Sequence, residues 1–342
     1  MSVLLIAPYR QTDGWGRKSL ELAKDMAKLK GDELCLRPLY YSYNNLRNDI
    51  GDLEKYEQNN VESKDVLIQF GLPMNLAYNG DFNENIAVTM VDSHIKDLGW
   101  TQSLNLFDAV VVFSDNEKKL LEESGVTTGI TVHSLGDKPF AGMQDMGLNL
   151  DLYKNTVKFY TDASPSESSG LTETIAAFLS SYYVCDNVMM FVFCDSNEKE
   201  AVMKLIEETK ERLGIFTDKR NYKDVAVVNS KDETLLNYAH ANFDCYINVE
   251  YGGKINDSLS NAMRYAKPSI VLDVLNINDE YPLSVQSCEQ ICLLNNRPMP
   301  GINSGRNSWR VPSSTDIGRK MKMVNSEVFD KCKQYILSYN KG

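Results

Sequence analysis

Histidine is scarce in this chain. The three that exist, His94, His133 and His240, are too dispersed to suggest a metal site. The seven cysteines, at 35, 185, 194, 245, 288, 292 and 332, form no CxxC pair, so neither a zinc site nor a disulfide framework is expected. Scattered, odd-numbered cysteines fit a reducing, intracellular compartment. No GK[ST] phosphate loop, HExxH or GxSxG occurs. No apolar run approaches the roughly 20 residues that span a bilayer, and "MSVLLIAPYR" lacks the basic start of a signal peptide, so it reads as a first strand. Positive charge is also short. The net charge of −11 argues against a broad basic face for nucleic-acid phosphates, although one local basic groove is still compatible with it.

What is present describes a soluble globular protein, 43% hydrophobic and 24% charged. At 342 residues the chain exceeds one ordinary core, and two domains are expected. Short apolar runs alternate with helical periods. "VLLIAP", "LCLRPL", "DVLIQFG", "NIAVTMVD", "FDAVVVFS" and "GITVHSLG" read as six strands in the first half. The helix after the first strand stops at Gly31. The helix after the fifth strand is capped by Ser114 and closes at Gly125. Residues 136–155 carry neither period and read as a linker. The alternation then restarts with "TVKFYTD", "VMMFVF", "DVAVVNS", "DCYINVE", "PSIVLDV" and "ICLL", and a helical tail follows. Such alternation implies parallel sheets covered on both faces, with ligands outside the carboxyl ends of the strands.

The first loop, "APYRQTDGWGRKS", places Gly14 and Gly16 around Trp15 between a strand and a helix. A tight turn and an anion approaching the backbone are both compatible with it. A dinucleotide fingerprint would need a third glycine at Ser19 and an acid closing the second strand; that strand ends in Arg37-Pro38. Read together, several segments resemble the GT-B glycosyltransferases. They are "APYRQTDGWGRKSLELAKDM", "NIAVTMVDSHIKDLGW", "FDAVVVFSDNEKKLLEESGVTTGITVHSLGDKPF", "VKFYTDASPSESSGLTETIAAF", "FDCYINVEYGGKINDSLSNAMRYAKPSIVLDV" and "SWRVPSSTDIGRKM". The chain is most similar to the family 4 retaining type, including short versions found in phage genomes.

The resemblance implies two Rossmann-like, doubly wound α/β domains facing across a cleft. Residues 1–145 would form an acceptor domain and 146–320 a nucleotide-sugar donor domain. Residues 321–342 would form a helix packing back toward the first. It also implies a metal-independent transferase with no cofactor beyond a nucleotide-diphosphate sugar as co-substrate, cytoplasmic or virus-encoded within a host cell. The acceptor is left open among a glycan, a small molecule, a protein and a hydroxymethylated DNA base. Donor contacts fall on Gly14, Trp15, Gly16, Arg17, Lys18, Glu250, Gly252, Gly253, Lys254 and Asn261. Catalytic contacts fall on Asp92 and His94.

The sequence also departs from that family. The second domain usually opens with Gly-Arg and then Lys-Gly, whose cations neutralise the departing diphosphate. Here Asp162 stands near the arginine position and Ser169 near the lysine position. Asn261 replaces the second acid of the donor segment. The first acid corresponds to Gly253 without a gap, or to Glu250 with a small insertion. Either other cations serve (Arg10, Arg17, Lys18 or Lys254), or the donor is unusual, or the chain is a scaffold that has lost catalysis.

Overall fold

The computed structural model describes residues 1–12, 14–41, 46–47, 49–91, 98–133, 154–215, 222–252, 256–273, 281–291 and 308–339. The chain divides into two units: Met1–Lys138 with Ile291–Ser308, and Pro139–Gln290 with Trp309–Gly342. The expected linker lies almost wholly outside the described residues.

The first unit runs β1 (Val3–Ala7), α1 (Gly14–Lys30), β2 (Leu34–Pro38), α2 (Glu54–Glu57), β3 (Val66–Phe70), β4 (Glu84–Val88), α3 (Leu98–Leu104), β5 (Ala109–Val112), α4 (Asp115–Glu123) and β6 (Ile130–Val132). Its strands lie in the order β2-β1-β3-β4-β5-β6, and every pairing along them is parallel. A sheet covered on both faces needs near-continuous apolar strands, and β3, buried at every position, is one. One cluster gathers Leu5, Leu20, Ala23, Ile68 and Phe70; another gathers Ala87, Val110, Leu104 and Leu121. Each fully buried Leu or Phe contributes about 1.5–3 kcal/mol. The expected cap of α4 is present. Ser114 Oγ accepts from Glu117 N at 3.2 Å, and Glu117 Oε2 accepts from Phe113 N at 2.8 Å. Gly125, at φ +92°, follows the end of that helix in the left-handed region.

The second unit runs β7 (Val157–Thr161), α5 (Leu171–Ser181), β8 (Val188–Phe193), α6 (Lys199–Arg212), β9 (Val225–Val228), α7 (Glu233–Asn242), β10 (Cys245–Asn248), α8 (Asp257–Arg264), β11 (Ser269–Leu272) and β12 (Ser284–Val285). The small sheet of β13 (Ser287–Ile291) and β14 (Ser308–Pro312) follows, then α9 (Ser314–Met323) and α10 (Ser326–Tyr339). The larger sheet is ordered β12-β11-β10-β7-β8-β9, again all parallel. Counted from β7, this is the doubly wound order in which the chain reverses direction between β7 and β10.

Aromatic rings fill this core. Phe191 and Phe243 lie 4.7 Å apart between centroids, and Tyr160 packs on Phe193, Phe243 and Tyr246. The last strand of the sheet is β12, not "ICLL", whose Ile291 ends β13. Two residues are too short to display a period, and buried Leu283 and Val285 are its only signal. α9 packs closely on α5, because a side chain at Gly318 would meet Ser181 Oγ at 2.4 Å. In the tail helix α10, Cys332 and Ile336 are buried in the second unit's core.

Candidate functional site

In a doubly wound sheet, the place for a ligand is outside the carboxyl ends of the strands, where the order reverses. The two units are described in turn.

In the first unit this point lies between β1 and β3. The glycine loop expected before α1 is not a loop: Gly14, Trp15 and Gly16 form the helix's first turn. Gly16 is required there for packing. A Cβ would lie 2.0 Å from the backbone oxygen of Gln11, so only glycine lets the segment after β1 press against the helix. Gly14 is exposed, with nothing within 4 Å of a built Cβ. Trp15 is half-buried against Phe70, at 5.6 Å, and Tyr41, at 6.1 Å. Lys18 Nζ lies 4.9 Å above the ring of Phe113, which itself packs on Phe70 at 5.4 Å. A cation–π contact of this kind is worth about 0.5–1 kcal/mol where exposed. Arg17 is exposed.

Arg10, a candidate cation, is already engaged. Its guanidinium donates through Nε and Nη2 to both carboxylate oxygens of Glu57 at 2.8 Å, and Tyr9 donates to the same carboxylate at 2.9 Å. The bond from Arg10 holds the Glu57 carboxyl below its ordinary value, against burial. Asp92 and His94 lie outside the described residues.

In the second unit the reversal lies between β7 and β10. The loop after β7 closes onto the end of β10 at Gly170, which has φ +72° and caps α5. A Cβ there would sit 2.3 Å from the oxygen of Val249. Tyr251 N donates to Ser168 O at 2.9 Å, and Gly252, at φ +78°, donates its N–H to Arg310 O at 2.9 Å. Tyr251 also donates its phenol to Glu173 Oε1 at 2.7 Å and meets Trp309 edge-on at 5.2 Å. Glu250 is half-buried, and its N–H faces Asn248 Oδ1 at 3.4 Å. Asn256 caps α8 by accepting from Leu259 N at 2.8 Å, and half-buried Asn261 lies one turn further along. Gly253 and Lys254 lie outside the described residues.

Asp162 and Ser169 are both committed to the fold. Asp162 accepts from the buried Tyr246 phenol at 2.5 Å. Ser169 Oγ donates to Ser166 O at 2.9 Å and accepts from Leu171 N at 3.1 Å, closing the turn into α5. Neither projects positive charge. Sequence reasoning missed two groups at this edge. One is the Glu173–Tyr251 pair, of which Glu173 Oε2 is buried with no partner among the described residues. The other is Lys231, whose Nζ lies 2.8 Å from Glu198 Oε2 and donates to Ser164 Oγ at 3.0 Å. Neither has a local signal, since each joins residues far apart in the chain.

The remaining histidines and tryptophans are framework residues. His240 is buried and shares a 2.8 Å hydrogen bond with the Tyr160 phenol through Nδ1. Burial, helped by the charge of Lys267, pushes its pKa down to about 3, so it is neutral. His133 donates its backbone N–H to Val112 O at 2.8 Å. Trp100 packs on the core beside β5, and Trp309 is buried. Among the described residues, no group of three or more His, Cys, Asp or Glu could hold a metal ion, and no helix is long and apolar enough to cross a membrane.

No family model matches the sequence, and no curated protein matches it. Solved structures do match its fold. A sucrose-phosphate synthase from Thermosynechococcus elongatus superposes with a TM-score of 0.63 at 9% identity, covering 99% of this chain and 94% of that one. An E. coli trehalose-6-phosphate protein bound with UDP-2-fluoro glucose gives 0.56 at 10% identity, covering 98% and 96%. A glycosyltransferase from Rickettsia africae gives 0.53 at 10% identity, covering 98% and 93%. With its two parallel-sheet α/β units, the chain has the GT-B fold of these glycosyltransferases.

Proposed function

We propose that this protein transfers a sugar from a nucleoside-diphosphate sugar to an acceptor hydroxyl. The observation that carries the reading is the closure at the β7–β10 reversal, where Gly170 presses on Val249 and Tyr251 and Gly252 are pinned by backbone bonds. It leaves glycine-lined backbone beside the first turn of α5, whose N–H groups and dipole favour an anion. A fold neighbour bound with UDP-2-fluoro glucose supports the same ligand class.

On this reading the second unit takes the donor. Glu250, Gly252, Gly253, Lys254 and Asn261 line its side of the site, and the Asn261 amide pairs with a hydroxyl. The first unit takes the acceptor, with Asp92 and His94 near the reacting sugar and Gly14 to Lys18 along the donor's edge. Transfer proceeds with retention and without metal. The bond from C1 to the diphosphate oxygen breaks, the bond from C1 to the acceptor oxygen forms on the same face, and the acceptor proton passes to the departing diphosphate. We place the reaction inside a cell, with the acceptor drawn from glycans, small molecules, proteins and hydroxymethylated DNA bases.

A second reading, a binding scaffold without turnover, is favoured by the commitment of Asp162 and Ser169 to structural bonds. Incubation with UDP-glucose and GDP-mannose, with release of UDP or GDP measured beside calorimetric binding, separates the two. Release supports transfer. Binding without release supports the scaffold, and the absence of both binding and release overturns the nucleotide reading.

A further inference from the structure

Lys231 leaves the end of β9 and runs back along the carboxyl edge of the second sheet. Its ammonium meets Glu198, beyond β8, at 2.8 Å and Ser164, beyond β7, at 3.0 Å. Neighbouring strands lie about 4.8 Å apart, so this one side chain links loops across roughly 10 Å of sheet. It does so toward the reversal between β7 and β10. A lysine at such an edge is ordinarily a mobile, hydrated charge; this side chain is 16% exposed and fixed at two points.

The charge around it is one-sided. In the described loops after β7, β8, β9 and β10 (162–170, 194–198, 229–232 and 248–252) stand Asp162, Glu167, Asp195, Glu198, Asp232 and Glu250, against one cation, Lys231. A doubly or triply charged phosphate group there is repelled by those carboxylates, and among these described loop residues Lys231 is the charge that offsets them. An ammonium has three donors. Glu198 and Ser164 take two, and one is left for a ligand. Burial opposes ionisation of Glu198, but the bond and charge of Lys231 hold its carboxyl below its ordinary value. Glu198 therefore steers the ammonium and also cancels part of its charge.

We infer that Lys231, held by Glu198 and Ser164, is the cation that receives the phosphates of a nucleoside diphosphate on the second unit, in place of the arginine and lysine absent at Asp162 and Ser169. This rests on the transfer reading. It assigns opposite effects to the two partners of one ion pair, which a purely structural bridge does not.

The test is calorimetry of the full-length protein with UDP, GDP and ADP, followed by the matching monophosphate and nucleoside of the tightest binder. Lys231→Gln should weaken the diphosphate by about tenfold or more, the monophosphate less and the nucleoside hardly at all. Lys231→Arg should retain most of the affinity. Glu198→Gln should tighten the diphosphate severalfold. Thermal unfolding checks each variant, and where Lys231→Gln does not fold, the arginine and Glu198 variants decide. The inference is overturned if Lys231→Gln binds the diphosphate as the native chain does, if it loses nucleoside and diphosphate equally, or if Glu198→Gln weakens binding. If the native chain binds none of the three diphosphates, the transfer reading fails and takes this inference with it. If the native chain binds and only the variants disagree, the inference alone falls.

Discussion

Tyr251 donates its phenol to Glu173 across 2.7 Å, tying the segment after β10 to the first turn of α5. Burial pushes the Glu173 carboxyl up, and the bond from Tyr251 only partly offsets it. The native state therefore prefers the protonated acid more than the unfolded chain does, where the value is about 4.3. The stability this group contributes is complete below about pH 4 and is lost as pH rises through the raised native value. Glu173→Gln keeps an acceptor and cannot ionise. Urea unfolding across pH should show it gaining on the native chain from about pH 4 upward; a difference independent of pH would refute the assignment. Tyr251→Phe removes the phenol bond to Glu173 Oε1 and should cost about 1–3 kcal/mol.

Two glycines of α1's first turn should respond in opposite ways. Gly14→Ala meets nothing within 4 Å, and its higher helix propensity should leave stability unchanged or raise it by up to about 1 kcal/mol. Gly16→Ala drives a methyl to 2.0 Å from Gln11 O, which must separate the segment from the helix. A loss of several kcal/mol, of the order of overpacking or more, is expected from thermal or urea unfolding. Equal tolerance of both changes would show that α1 does not press on Gln11.

Gly170→Ala combines a left-handed backbone at φ +72° with a contact of 2.3 Å to Val249 O. The backbone conformation alone costs roughly 1–2 kcal/mol, and relief of the clash must lift the β7–α5 loop from β10. The variant should be destabilised by about 2 kcal/mol or more, and any calorimetric affinity for UDP or GDP should fall with it. Full affinity would place the nucleotide elsewhere.

His240 gives the fold an acid-sensitive element. Its native value is pushed down to about 3, while the unfolded residue titrates near 6.5. The unfolded chain therefore binds the extra proton first. The contribution is fully present above about pH 6.5 and is lost progressively as pH falls toward 3, at roughly 1.4 kcal/mol per pH unit at most. His240→Gln should flatten that part of the stability profile, as followed by circular dichroism in urea. An unchanged slope between pH 6.5 and 4 would mean that His240 does not titrate on unfolding.

Local patterns carried much of this molecule. The apolar runs of β1, β3 and β5 were readable because strands of a sheet covered on both faces are near-continuously apolar. The cap at Ser114 and the stop at Gly125 were readable because a helix end is satisfied by residues a few positions away. The same locality misplaced Gly14 and Gly16. A Gly-Trp-Gly string reads as a turn, whereas the helix begins within it because Gly16 must lie under Gln11.

The sequence by itself supplied only the expectation that Asp162 and Ser169 stand where the family it resembles carries cations. Only the tertiary structure decided what those residues bond instead, and which charge stands near them. Gly170 meets Val249, Glu173 meets Tyr251, and Lys231 meets Ser164 across 67 residues of chain. The physical reason is the order of the parallel sheet. It brings the carboxyl ends of β7, β8, β9 and β10 side by side although helices separate them in sequence, so the charges along that edge are set by strand order and not by any motif.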